Sequence, residues 1–277
     1  MLIFSTRTAT QWLTTTLLAI LLLTTPLFAD TIDNPGCSGP SALLNIIDRP
    51  SVADSPCVVP HKHLEVEMGY QYFSLINASG DAQGAPAAQL RIGLLNRTEF
   101  TVLLPTYTHF SHLPYSGINS TTVGLKHELG YSKQWIATVE SLLTLPGGSS
   151  ALGTPELGAA FNGIVSYAPV PFFSASLMLG ATTTAIPHVF GGGRYTSVNP
   201  DLVLTYYVTQ TLLSYVEFYG QSRTGIGIGS GSGVNADVGI VRLFTPDLTL
   251  DVAYFQRLNG ALGNFERGVT MGLALMF

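Results

Sequence analysis

Residues 63–72 read His63-Leu64-Glu65-Val66-Glu67-Met68-Gly69-Tyr70-Gln71-Tyr72. Leu64, Val66, Met68, Tyr70 and Tyr72 share one phase, and His63, Glu65, Glu67, Gly69 and Gln71 share the other. A β-strand sends alternate side chains to opposite faces, so this stretch predicts a strand with one apolar wall and one polar wall.

The pattern recurs to the last residue. Leu90, Ile92 and Leu94 alternate with Gln89, Arg91 and Gly93, and Phe100 and Val102 with Glu99 and Thr101. Val123, Leu125 and Leu129 oppose Lys126, Glu128 and Gly130, while Trp135, Ala137 and Val139 oppose Thr138 and Glu140. Later runs set Val216 and Phe218 against Glu217, Val238 and Ile240 against Asp237, and Leu250, Val252 and Tyr254 against Asp251. The final run places Val269, Met271, Leu273, Leu275 and Phe277 opposite Gly268, Thr270, Gly272 and Ala274. This gives about twelve strands of about 10 to 13 residues, the length a tilted membrane strand needs.

The links between runs alternate in length. Short ones are 95–98, 132–134, 168–171, 208–210 and 245–247; long ones are 74–87, 106–119, 146–154, 182–196, 222–233 and 259–265. Tight turns on one rim and long loops on the other define an up-and-down, all-β antiparallel transmembrane barrel, and an even strand count puts both termini on the tight-turn, periplasmic side. Tyr131, Trp135, Tyr167, Phe173, Tyr206, Phe244 and Phe277 all fall beside the tight turns, as an interfacial girdle requires. A terminal outward Phe277 resembles the signal read by the barrel-assembly machinery. A water-soluble barrel or sandwich would turn the same apolar rows inward. Periodicity does not separate the two; link alternation, strand length, Phe277 and the low charge favour the membrane. His127 and Arg242 break the apolar phase.

Composition fits a lipid partner. Of 277 residues only 10% are charged, against roughly 25% in soluble proteins, and mean hydropathy is +0.34. A net charge of −5 gives no electrostatic case for nucleic acid. At the N-terminus Arg7, the apolar run Leu17–Leu23 and the small Ala29 before Asp30 predict a cleaved export signal over residues 1–29, and so the cell outer membrane as destination.

Residues 30–61 differ from the rest, with Pro35, Pro40, Pro50, Pro56 and Pro60 around the apolar stretch 43–47. Cys37 and Cys57 are the only cysteines, and an exported chain meets an oxidising compartment, which predicts a bridge between them. Such a bridge stabilises by roughly 3 kcal/mol in the chain-entropy model. The segment is expected to be a stapled periplasmic collar or a plug, with the barrel spanning 62–277.

The inward phase carries the candidate lumen and solute-binding residues Arg91, Glu99, Lys126, Glu128, Glu140, Glu217, Asp237, Asp251 and Arg257, with Glu67, Glu156 and Asp201 beside them. Charges inside a barrel must be wet or paired. Either the lumen is water-filled, with its acid excess favouring cations, or these groups form a structural network that closes it. Inward Leu142, Ile164, Met178, Val203, Tyr215, Tyr219 and Phe255 make the interior mixed, compatible with small amphipathic solutes.

Enzymatic chemistry finds little support. His61 and His63 share a face, but no third metal ligand accompanies them. The glycine-rich stretch 225–233 lacks dinucleotide spacing and reads as a surface loop. No nucleophile elbow or zinc-protease signature occurs, and a lipid hydrolase would need a serine paired with His127, the one histidine placed outward on a strand. No enzyme activity, metal or cofactor is expected.

Several blocks resemble the outer-membrane transporter family named for the MetA pathway of phenol degradation. They are Gln89–Leu94 with Thr98-Glu99-Phe100, then Thr122–Leu129, Leu143-Thr144-Leu145-Pro146-Gly147-Gly148, Val216–Gly220, Asp237-Val238-Gly239 and Pro246–Asp251 with the Phe277 end. The third differs from the family's LPTG pattern by Gly147 in place of Thr. The resemblance implies a barrel with a transport role and no catalytic residues, and it leaves the cysteine-bearing segment outside. From the mixed, acidic inward face and the long links two functions are expected: a transporter or channel for small, amphipathic or aromatic solutes, or a structural or host-contact outer-membrane barrel with a plugged lumen that acts through loops such as 182–196 and 222–233.

Overall fold

The computed structural model describes residues 35–112, 116–222 and 231–277. The export signal predicted for 1–29 and most of the glycine-rich stretch lie outside these residues.

Twelve spanning strands close into one antiparallel barrel. The first four are β1 (Leu64–Leu75), β2 (Asp81–Gly93), β3 (Thr98–Leu103 continued by Tyr107–Phe110) and β4 (Gly117–Ile118 continued by Thr122–Tyr131). They are followed by β5 (Trp135–Thr144), β6 (Gly158–Val170), β7 (Phe173–Ala185) and β8 (Arg194–Thr209). The last four are β9 (Leu212–Gln221), β10 (Gly233–Thr245), β11 (Leu248–Gly260) and β12 (Phe265–Met276). Both pieces of β3 pair with β2, so Leu104-Pro105-Thr106 interrupts one strand rather than separating two. Proline cannot donate to the ladder; across the break the Thr106 N–H donates to Asn119 Oδ1 at 2.6 Å.

The seam pairs β1 with β12, from Glu65↔Met276 to Tyr72↔Val269. Leu64 and Phe277 exchange backbone hydrogen bonds at 3.1 and 2.8 Å. Closure leaves no open sheet edge, a requirement in hydrocarbon, where an unpaired N–H has no water to bond.

The two faces sort as the period-two reading expects. Leu125, Leu129, Phe161, Leu177, Leu179, Val238 and Met271 are exposed on the outside. Glu65, Glu67, Arg91, Glu99, Lys126 and Glu217 are fully buried within. Trp135, Tyr167, Tyr206, Phe244 and Phe277 stand exposed at the short-turn rim. The two exceptions sit near that rim. Exposed Arg242 is close to the β10–β11 turn, and His127 Nδ1 bonds Thr98 Oγ1, on the first residue of β3, at 2.8 Å.

Strands reach further than the hydrophobic pattern predicts. The links 74–87 and 182–196 shrink to 76–80 and 186–193. Their flanks, such as Asp81-Ala82-Gln83-Gly84 and Thr182-Thr183-Thr184, lack apolar alternation yet join the ladder through Ser74↔Asp81 and Thr183↔Thr196. Backbone pairing needs no apolar face, so a polar strand end is invisible to a hydropathy reading.

Candidate lumen site

The lumen is occupied by the chain's own N-terminal segment. A one-turn helix, α1 (Leu43–Ile46), buries Leu43, Leu44 and Ile46. Leu43, Leu44, Ile47 and Ala53 pack with inward Val203, Leu213, Tyr215 and Phe255. Cys37 and Cys57 form a disulfide with Cα atoms 5.6 Å apart, closing the segment into a hairpin-like plug. At its base Ser41 Oγ donates to the Gln210 carbonyl at 2.7 Å, and the Tyr207 hydroxyl donates to Asn45 Oδ1 at 2.6 Å. Its tip, residues 48–55, points toward the long-loop end.

The barrel wall holds this tip by its backbone amides. Glu67 accepts the N–H groups of Asp48 and Arg49 at 2.8 and 2.7 Å. Glu217 accepts those of Val52 and Ala53 at 2.9 and 2.7 Å. Glu99 accepts that of Val59 at 2.7 Å. In return, Arg91 donates to the carbonyls of Ile46 and Cys57.

Charged side chains bind plug to wall as well. Arg91 lies 2.8 Å from Glu99, 3.4 Å from Asp48, 3.5 Å from Glu67 and 3.6 Å from Glu65. Lys126 lies 3.1 Å from Asp48, 3.5 Å from Glu99 and 4.0 Å from Glu140. Arg49 pairs with Asp251 at 3.1 Å. The Arg49 guanidinium fits because wall residues Gly69 and Gly272, paired across the seam, have no side chain: a Cβ on either would come within 2.4–2.5 Å of it.

Two plug carboxyls respond in opposite directions. Burial opposes ionisation of Asp48, yet Arg91, Lys126 and the Ser55 N–H outweigh it and hold its carboxyl below the usual range. Asp54 is pushed well above that range by burial and by the carboxyls of Glu140 and Asp48, which Lys126 only partly offsets. The difference is one of partners: Asp48 sits between two cations, and Asp54 faces other acids.

Two cavities flank the plug. One of about 940 Å³ opens at the short-turn rim; its lining is largely apolar and includes Ile136, Val203, Leu213 and Tyr215. The other, of about 370 Å³, lies toward the long loops and is lined by Gln89, Glu140, Asn162, Asp201 and Tyr219. Asp54 lines both.

The residues singled out from sequence divide accordingly. Arg91, Glu99, Lys126, Glu217 and Asp251 engage the plug. Asp237 lies beside Glu217 as its register partner, and Glu140 faces the smaller cavity. Glu128 pairs with Arg97 near the short-turn rim at 3.1 Å, and Arg257 pairs with Glu266 at 2.7 Å at the opposite end. The sequence reading missed Asp48, Arg49 and Asp54, whose partners on the wall are 18 to 202 positions away, and the Gly69/Gly272 notch. The one available signal was glycine in the inward phase of both the first and last strands.

An apolar exterior, a closed ladder and a polar interior define a transmembrane β-barrel of the up-and-down type. The family described as "Putative MetA-pathway of phenol degradation" matches residues 47–275, and the chain belongs to it. That match begins inside the plug, at Ile47, so the whole tip and Cys57 belong to the matched region, and the cysteine-bearing segment is not wholly outside the family as the resemblance implied.

Three of the solved structures that share the fold are similar over most of the chain. The COG4313 outer membrane channel from Pseudomonas putida F1 superposes with a TM-score of 0.67 at 14% identity, covering 82% of this chain and 100% of that one. The NanC porin gives 0.51 at 12%, covering 76% and 98%. The KdgM porin gives 0.51 at 8%, covering 78% and 99%. Among curated proteins, none matches this chain in sequence.

Proposed function

We propose that this protein is an outer-membrane channel for small amphipathic solutes, described here with its plug seated. The observation that carries this reading is the pair of cavities, about 940 and 370 Å³, meeting at Asp54 within a lipid-facing barrel. Ligand cavities span roughly 300–1,000 Å³ and are mostly apolar with a few placed polar groups. The larger cavity matches that description, since Ser174, Thr205 and Tyr207 lie among its apolar lining residues. A barrel built only as a rigid anchor has no use for such space beside a polar plug.

The names of the relatives lean the same way. One solved structure of this fold is called an outer membrane channel and two are called porins. The family's description names phenol degradation, and a phenol-sized aromatic alcohol fits both the volume and the hydroxyl-bearing lining. Of the predicted lumen set we assign solute contact to Glu140, which lines the smaller cavity; Arg91, Glu99, Lys126, Glu217 and Asp251 set how firmly the plug stays.

The test is conductance in planar bilayers together with uptake of an aromatic alcohol into proteoliposomes, with and without residues 35–61. Small current steps that grow on plug deletion, with faster uptake, are expected. A correctly folded barrel that is silent and impermeable in both forms would overturn the reading and favour a role carried by the surface loops.

A further inference from the structure

The geometry points to a binding path for a small amphipathic cation, an apolar body bearing one ammonium group, read by Asp54 and Asp201. This rests on the channel reading above and adds the charge of the solute.

The smaller cavity is acidic. Asp54, Glu140 and Asp201 line it, and among the described residues no Lys, Arg or His does. Glu140 is partly satisfied, by Asn162 at 2.8 Å and by a Lys126 that two other carboxylates share. Asp201 has less. It is 3% exposed, no amide or cationic donor reaches either of its oxygens, and the side chain it leans on is another carboxyl, Glu217. On the adjacent wall, Glu217 and Asp237 are also carboxyls, so Asp201 has acids for neighbours.

A buried carboxyl without a donor is costly, and a wall of such groups with a cavity in front of it is complementary to a cation carrying its own N–H donors. An ammonium supplies three. It would sit between Asp201 on the wall and Asp54 on the plug. The raised Asp54 carboxyl agrees with a site short of positive charge.

The other half of the solute is read by the larger cavity. Asp54 is shared by both linings, so a molecule with its ammonium there has the Ile136, Val203 and Leu213 surface within reach of its apolar part. Arg49 also reaches this larger space but is bound to Asp251, and Lys133 stands in the short turn at the mouth. Neither neutralises the acids at the junction. A carboxylate-bearing amphiphile of the same shape would meet repulsion at that point.

The experiment compares 2-phenylethylammonium, 2-phenylethanol and phenylacetate by isothermal titration calorimetry on the detergent-solubilised full barrel at neutral pH. The ammonium should bind at least tenfold more tightly than the alcohol, and phenylacetate most weakly. Asp54→Asn combined with Asp201→Asn should erase the gap between ammonium and alcohol, with folding checked by heat-modifiable gel mobility. If that pair does not fold, Glu140→Gln should narrow the same gap. Equal binding of alcohol and ammonium, or a preference that survives the variants, overturns the cation assignment and leaves the channel reading standing. Failure of all three probes to bind overturns the cation assignment, and the channel reading falls only if the barrel is also silent and impermeable in the conductance and uptake tests.

Discussion

Glu217→Ala should loosen the plug. In the wild-type chain this side chain receives the Val52 N–H at 2.9 Å and the Ala53 N–H at 2.7 Å, and it is fully buried. Alanine leaves two tip donors without their acceptor. An unsatisfied buried donor costs about 1–3 kcal/mol, so two cost about 2–6 kcal/mol. Val52 is 43% exposed, which lets water reach part of this region and places the effect in the lower half, about 2–4 kcal/mol. At 1.4 kcal/mol per tenfold, plug docking should weaken by roughly 30- to 700-fold. Single-channel recording reads this directly as a higher open fraction, and Glu217→Gln, which keeps one acceptor oxygen, should fall between the two. The barrel ladder is untouched, so heat-modifiable mobility should remain. A folded Glu217→Ala barrel whose current record matches wild type would show that these amides do not hold the plug.

Three other perturbations probe different contacts. Gly272→Leu puts a side chain where the Arg49 guanidinium lies, so conductance should rise, whereas in an Arg49→Ala background the same change should add little; a double-mutant cycle with no coupling would rule out the notch. For pH, Asp48 and Asp54 act at opposite ends. Asp48 is held low, so its contribution to plug docking is present above its ordinary value and lost as pH falls through the depressed one. Asp54 is held high, so its contribution is present in acid and lost as pH rises through the raised one. Open fraction should therefore climb on the alkaline side, and Asp54→Asn should flatten that limb; an unchanged limb in the variant assigns it elsewhere. Finally, Leu179→Arg, on the outer face at the middle of β7, should cost about 2–4 kcal/mol in urea titrations from lipid, as charges do at a bilayer midplane. No loss there would mean this face does not meet hydrocarbon.

Much of the architecture was legible in the sequence because a membrane barrel writes its two environments into alternate residues. Leu177 and Leu179 face out and Met178 faces in, and the period-two reading assigns all three. The disulfide needed only two cysteines and an oxidising destination. Less visible were contacts set by curvature. Asp48 meets Lys126 and Arg49 meets Asp251 because closure brings opposite walls to one axis, and linear spacing carries no record of that. The lumen residues were found by phase, but their roles were not, since an inward carboxyl looks the same whether it faces water, a cation or a backbone amide. Polar strand ends such as 81–84 were lost for the converse reason: they pair without declaring a face.

Why a plug should be held by charges is a question of how it must leave. A lumen sealed by apolar packing alone would release its plug only by exposing that surface to water, and the barrier would grow with every contact. Here the wall presents carboxyls to N–H groups, and Arg91 and Lys126 to Asp48. Desolvating such groups offsets much of their mutual attraction, so a buried ionic network fixes position more than it adds stability. Each member also has a ready substitute in water or in an arriving solute. The Cys37–Cys57 bridge complements this by closing the plug on itself, so that a moderate change at the tip can shift the segment as a body rather than unravel it. On that account the carboxyl excess around Asp54 and Asp201 weakens the seat where a cation would strengthen it. A solute that brings positive charge then ties plug to wall at this point, and one without it leaves the facing acids opposed.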